Sequence, residues 1–257
     1  MKLTPFLVTL GVWLVTSLPA AQPVVGLVDE VKELFPDTPL DQPVKRLSVH
    51  TARNTIVGVH VLATGLAGHA TVRFAERGAN GQPTAGGRWL RLIDVPVLEN
   101  TGLDRNTEKY SGKTNPFVVR RAPFRVYDPL QPVTAPQTVE SGALALRWEL
   151  EVPTDAVVGE QTHRLTLDFG DHQETLEFVV TVHAARVPPV GRPSIAYINW
   201  LNIDNICSAH RVEKWSEPFW AMLGQYARVM ARGRQNAFWY SWADYFAIDA
   251  AGNVTEF

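Results

Sequence analysis

Between Pro43 and Val182 apolar and polar residues alternate with a period of two. In the clearest stretch Leu144, Leu146, Trp148 and Leu150 fall on one side, and Ala145, Arg147, Glu149 and Glu151 on the other. Successive side chains of a strand point to opposite faces, so this is the pattern of a half-buried β-strand. A second run, Leu165, Leu167 and Phe169, is followed after Gly170-Asp171 by Leu176, Phe178, Val180 and Val182. The Gly-Asp step supplies a turn, and the two runs read as an antiparallel hairpin. Further strands are expected over Leu47–His50, Ile56–Leu62, Thr71–Glu76, Trp89–Val95 and Phe117–Arg121. Asn80-Gly81 and Gly86-Gly87 mark a flexible excursion between two of them. Many short strands with such punctuation favour an antiparallel β-sandwich over a parallel sheet. The polar, proline-containing stretch from Glu99 to Pro136 reads as a long loop, its Lys113, Arg120, Arg121 and Arg125 solvated or paired with Glu99, Asp104 and Glu108.

The pattern changes after Val187-Pro188-Pro189, Gly191 and Pro193, a linker signature over 187–193. Ser194–Trp200 is a strand candidate and Leu201–Lys214 a polar connection. A helix is then expected with Ser216 as N-cap, Pro218 in the first turn and Gly233 as the C′ residue. Its apolar stripe is Phe219, Met222, Leu223, Tyr226, Val229 and Met230. Phe238–Trp242 is the next strand candidate. The tail therefore opens a strand–helix–strand unit, and it holds five of the chain's eight tryptophans.

The N-terminus reads as a processing signal over residues 1–21: Lys2, an apolar Phe6–Leu18, then Pro19, Ala20 and Ala21. That run falls short of the roughly 20 residues of a spanning helix, so a secreted or periplasmic protein without stable membrane insertion is expected. After it, Asp29–Phe35 reads as a short helix and Pro36–Pro43 as a linker or edge segment. A single cysteine, Cys207, excludes an internal disulfide and lacks the electropositive setting of a reactive thiol. With 24 basic and 26 acidic residues the chain has no nucleic-acid footprint, and an uncharged or weakly charged partner such as a glycan fits better. It has no zinc-protease helix motif, nucleophile elbow or dinucleotide fingerprint, so neither a metal nor a cofactor is expected. His163 and His172 read as surface neighbours across the hairpin, and Asp168, Asp171 and Glu174 as a solvated acidic turn rather than a calcium loop. Asn253-Val254-Thr255 fits a glycosylation acceptor.

Several strings resemble a known family. Pro153-Thr154-Asp155-Ala156, the turn glycine Gly159, two alternating strands and a Val-Pro exit look like the sandwich that precedes a (β/α)8 barrel in many secreted carbohydrate-active proteins. Val212, Trp215, Tyr226, Met230 and Arg234-Gln235-Asn236 resemble the first barrel helix of the β-N-acetylgalactosaminidase-like glycoside hydrolases, family 123, and their uncharacterised relatives. His50, Ala52, Arg53 and Asn54 are similar to the opening of the same group's sandwich. The chain departs from that pattern at Gly233 and at Gln161-Thr162. The resemblance implies a mainly β chain: a β-sandwich over 22–186, then the first strand–helix–strand of a truncated (β/α)8 barrel over 194–257.

About 60 residues remain after the linker, against the roughly 250 that a barrel needs. In the resembled hydrolases an Asp-Glu pair on a later strand works with the substrate's own acetamido group. No residue here matches that pair, and none is assigned as catalytic. Sugar-binding candidates are Trp200, Asn202 and Asp204 after the first strand and Tyr240, Trp242 and Asp244 near the end of the second. An indole offers a flat apolar platform, and carboxylates or amides fix hydroxyls. Trp215 and Trp220 on the helix are expected in the core. Two functions follow: the N-terminal part of a secreted glycoside hydrolase-like protein acting on glycans, or a non-catalytic sandwich module that binds carbohydrate or protein.

Overall fold

The computed structural model describes residues 22–66, 68–100, 118–139, 142–191, 196–239 and 247–256. The signal segment 1–21 lies outside them. The chain divides into two compact units between Ala185 and Arg186.

The first unit is two five-stranded sheets. One has the order β1 (Val24–Val28), β3 (Thr55–Leu66), β8 (Gly142–Val152), β5 (Gly87–Val97) and β6 (Phe124–Val133). The other runs β2 (Arg46–Arg53), β10 (Gln173–Arg186), β9 (Gly159–Asp168), β4 (Ala70–Arg77) and β7 (Gln137–Val139). The inward residues of both sheets form one core, including Val59, Val61, Leu144, Leu146, Trp148, Leu165, Leu167, Leu176 and Phe178. Each fully buried side chain of this kind contributes about 1.5–3 kcal/mol. The hairpin β9–β10 pairs Asp168 with Gln173 across the turn, where Gly170 takes φ +96° and its N–H donates to Asp168 Oδ1. The Ala-Arg-Asn step is the corner at which the chain leaves one sheet for the other. Asn54 alone separates β2 from β3 and takes a left-handed φ of 60°, a conformation in which asparagine is enriched among residues with a side chain.

Several expectations change. β1 was not anticipated. The stretch 99–136 contains β6 instead of being a continuous loop, while residues 118–122 form no strand. β6 carries Pro129 and Pro132 and sits at the sheet edge, where a missing N–H is tolerated. Arg120 pairs with Asp37, at 2.5 and 2.7 Å, and Arg125 with Asp94, while Asp104, Glu108 and Lys113 lie outside the described residues.

Finally, Asp29–Phe35 is not a helix but a turn, in which Lys32 N–H donates to Asp29 O. With the residues up to Pro43 it lies across the outer face of the first sheet. Leu34 is 3% exposed and packs with Leu62, Leu92 and Ala145. Tyr127 N–H donates to Leu34 O at 3.0 Å, and the Phe35 ring meets Phe124 edge-on. This strap explains why β3 is buried on both faces from Val57 to Ala63.

The second unit begins with a parallel pair, β11 (Ile198–Trp200) beside β12 (Ala237–Trp239). Between them lie α1 (Ile203–His210) and α2 (Glu217–Arg232). A hairpin of β13 (Ala247–Ile248) and β14 (Val254–Glu256) follows. The supposed polar connection thus holds a helix, capped by Asn202, whose side chain accepts from Asn205 N–H. α2 starts as expected, with Ser216 Oγ accepting from Phe219 N–H. Its end differs. Gly233 has φ −74° and Arg234 takes the left-handed place at φ 67°, with Gln235 N–H donating to Met230 O and Arg234 N–H to Ala231 O. These are the two bonds of a Schellman turn. α1 closes in the same way on Arg211 at φ 54°.

Candidate functional site

Parallel α/β units place ligands beyond the C-terminal ends of their strands. Trp200 ends β11 and stands in register with Trp239 at the end of β12. Asn202 follows, but its amide oxygen is committed to capping α1. The Asp204 carboxylate lies 2.7 Å from Lys214 Nζ. Both therefore have structural partners. Tyr240, Trp242 and Asp244 lie outside the described residues. Of the helical aromatics, Phe219 is buried, whereas Trp220 is 47% exposed and does not belong to a core within this unit. Trp215 packs its ring on both, with centroids 5.2 and 5.5 Å away.

The Arg-Gln-Asn triplet lies at the other end of the strands. Asn236 Oδ1 accepts from Tyr197 N–H at 2.8 Å, and Asn236 N–H donates to Tyr197 O at 3.2 Å. Arg234 reaches Pro188 O. These residues hold the entry of the parallel pair together, at the end of the strands opposite its C-terminal loops.

In the first unit the structure shows a cleft that the sequence reading did not identify. It measures about 500 Å³ and opens between β4 of one sheet and β5–β6 of the other. Phe74 and Trp89 form an apolar wall, with ring centroids 5.2 Å apart, and the Trp148 indole contributes to the lining. Gly87 is required beside it, because a Cβ there would stand 2.9 Å from Trp148 Cζ2. The carboxylate of Glu76 also lines the cleft and is fully engaged. Its Oε2 accepts from Thr84 N–H at 2.9 Å, and its Oε1 from Thr84 Oγ1 at 2.6 Å, with His163 Nδ1 at 3.0 Å. Burial alone would raise the Glu76 pKa, but the hydrogen bonds from His163 and Thr84 outweigh it and hold the carboxyl below its ordinary range.

His163 is 2% exposed and lies against Trp148, at 4.7 Å between centroids. It is a core residue and not a surface neighbour of His172, which stacks on Phe169 in the turn. A signal for this network was present. Val72, Phe74 and Glu76 share one parity, as do His163, Leu165 and Leu167, so each set sends one polar residue inward.

A second charged group lies on the strap side of the first sheet. Arg147 is 2.7 Å from Glu30 and 3.2 Å from Glu149, and Glu149 also meets Arg88 at 2.5 Å. Beside it, burial and then the positive charge of Arg147 push the His60 pKa down to about 4. Among the described residues no group of three or more His, Cys, Asp or Glu is placed to hold a metal ion. Asp168, Asp171 and Glu174 instead face Arg73, His172 and Lys45. No helix among the described residues is long and apolar enough to cross a membrane.

No protein-family model matches the chain, and no curated protein does. Among solved structures, a family 123 glycoside hydrolase from Clostridium perfringens, studied for glycolipid glycan hydrolysis, is similar at a TM-score of 0.61 and 10% identity. The match covers 84% of this chain and 38% of that one, so the chain spans well under half of its length. The PapD-like domain 7 of human CEP192 matches at a TM-score of 0.27 and 10% identity, over 72% of this chain and all of that one. The N-terminal domain of PorA matches at 0.26 and 9%, over 64% of this chain and 99% of that one. Only the first likeness is close enough to carry an argument, and at 10% identity it concerns the fold.

Proposed function

We propose that this chain is the N-terminal part of a secreted glycoside hydrolase-like protein acting on glycans, its sandwich leading into the first strand–helix–strand of a (β/α)8 barrel. One observation carries this reading. The likeness to the Clostridium hydrolase covers 84% of the chain, more than the first unit can supply, and so runs into the second unit. The parallel β11–β12 pair with helices between its strands supports it, being the repeating unit of such barrels. Sparse burial supports it too. Ile203, Ile206 and Phe219 are the apolar residues buried among those described there, and a stripe as long as that of α2 needs a further surface to cover it.

On this reading the working carboxylates stand on later strands. The general acid and the carboxylate that orients an N-acetylhexosamine acetamido group are both supplied there. Of the six sugar-binding candidates, Trp200, Tyr240, Trp242 and Asp244 keep that role, while Asn202 and Asp204 serve the scaffold. The test is the coding sequence that follows Phe257, expressed together with this chain. Further βα units with an adjacent acidic pair, and hydrolysis of chromogenic N-acetylhexosaminides that is lost when either acid is made its amide, are expected. A longer protein with no such units, or one inert on every glycoside offered, would overturn the reading.

A further inference from the structure

We propose that His50 and His183 form a two-histidine site for a divalent transition-metal ion (zinc, nickel or copper) that clips the edge strand β2 to β10. The site lies wholly within the sandwich and does not depend on the enzymatic reading.

β2 is the last strand of the second sheet, and β10 is its neighbour. Glu177 N–H donates to Lys45 O, and farther along both strands the His50 ring stacks on that of His183. Leu47 and Val49 of β2 pack against the core, as do Val180 and Val182 of β10. The residues that alternate with them, His50 and His183 among these, therefore stand on the solvent face, and both histidines are exposed. Sites carried on strands hold their geometry better than sites carried on loops.

His50 Nδ1 lies 3.0 Å from His183 Nε2, with ring centroids 5.1 Å apart and planes inclined at 27°. An ion bound at about 2.0–2.1 Å by two imidazoles holds their nitrogens roughly 2.9–3.4 Å apart, as the angle at the metal runs from square to tetrahedral. The observed separation falls within that bite. With both rings neutral and no metal, the two nitrogens share one proton in a hydrogen bond. On binding, the donor ring carries its proton on its other nitrogen, so no net proton leaves. A rotation of each exposed ring then turns both lone pairs onto one ion, because the ring torsion of histidine is broad.

The surroundings suit a cation. Ser48 and Ala52 on β2, and Thr181 and Ala185 on β10, flank the pair on the same face, and none is charged. Thr181 stands opposite Glu160, a carboxylate, while Arg46 farther along β2 is taken up by Glu177 at 2.5 Å. His163, His172 and His210 are committed instead to Glu76, Asp171 and Tyr226. Imidazole suits zinc, copper and nickel, whereas calcium takes oxygen ligands. The described residues hold no cluster of three ligands, so water fills the remaining positions of the ion. A chain with a single cysteine has no disulfide to fasten an edge strand, and the ion supplies that link.

The experiment is calorimetric titration of the untagged chain with zinc, nickel and copper ions, and with calcium as the control. One transition-metal ion per chain should bind, and calcium should not. His50→Gln and His183→Gln should each weaken binding roughly a hundredfold, the avidity lost when one of two linked contacts goes. His69→Asn, at an exposed position with φ 62°, should leave binding unchanged. In chelator both glutamine variants should unfold close to the parent's midpoint, since exposed side chains are replaced. Zinc should then raise the parent's midpoint and not theirs. Electron paramagnetic resonance of the copper complex should show two imidazole nitrogens on the ion. No binding, equal binding by parent and glutamine variants, or a single nitrogen on copper would each defeat the proposal and leave the pair as a hydrogen bond alone.

Discussion

Gly87 and His60 show how closely single residues are constrained in the sandwich. Gly87 begins β5 against the Trp148 ring, and any side chain would meet the indole at 2.9 Å and Thr84 O at 3.1 Å. Gly87→Ala should lower the unfolding free energy by about 1–3 kcal/mol, the usual cost of overpacking. Urea denaturation would show it as a lower midpoint, and an unchanged midpoint would mean that Trp148 can move aside. His60 acts through protons. Its pKa falls from 6.5 to about 4 on folding, because it is buried and faces Arg147. Between those values the unfolded chain binds the extra proton, so stability drops as pH falls from 6.5 towards 4, by on the order of 2–3 kcal/mol. His60→Gln should flatten the stability profile in that window. Glu76, whose pKa is lowered in the fold, has the same sign, but its contribution is lost only below its ordinary value of 4.5. The burial of His60 could not be read locally. His60 sits on the outward parity of β3, and it is the strap side of the sheet that it faces.

That strap is the main lesson at the level of elements. Alternation identifies a strand with one wet face, yet β3 is buried on both. The second cover comes from 29–43, where the sequence reads as a short helix over Asp29–Phe35 and as a proline-punctuated linker or edge segment over Pro36–Pro43. Leu34→Ala should cost about 2–5 kcal/mol, as deletions from a packed cluster do. The loss should appear in the single cooperative transition of the sandwich, whereas a separate early transition would show the strap to be independent of it. Other elements divide by the same logic. The β9–β10 hairpin and α2 were legible because turn chemistry, caps and periodicity agree over a long run. β6 was hidden by its prolines, and β1 by its shortness. α1 was hidden because its only apolar anchors are Ile203 and Ile206, and its cap, Asn202, resembles a ligand residue when seen alone.

Across the whole molecule the two units differ in how much they bury. The sandwich has a continuous core of twenty buried apolar residues among those described, drawn mainly from β3, β8, β9 and β10. The second unit holds its parallel strands with Asn236 and its helices with caps, over three buried apolar side chains among the described residues. Amide exchange should therefore be slowest in β3, β8 and β10 and faster by orders of magnitude in α1 and α2, measured by mass spectrometry at neutral pH. Equal protection in both units would contradict that difference and weaken the case for an incomplete barrel. The sequence alone determined the class of each part, because period-two and period-3.6 patterns are local consequences of backbone geometry and need no partner to be recognised. Only the tertiary structure decided which inward Glu and His meet, what covers the outer face of a sheet, and that an aromatic cleft opens between β4 and β5–β6. Those outcomes depend on register between strands far apart in the chain, and no periodicity within a single strand specifies register.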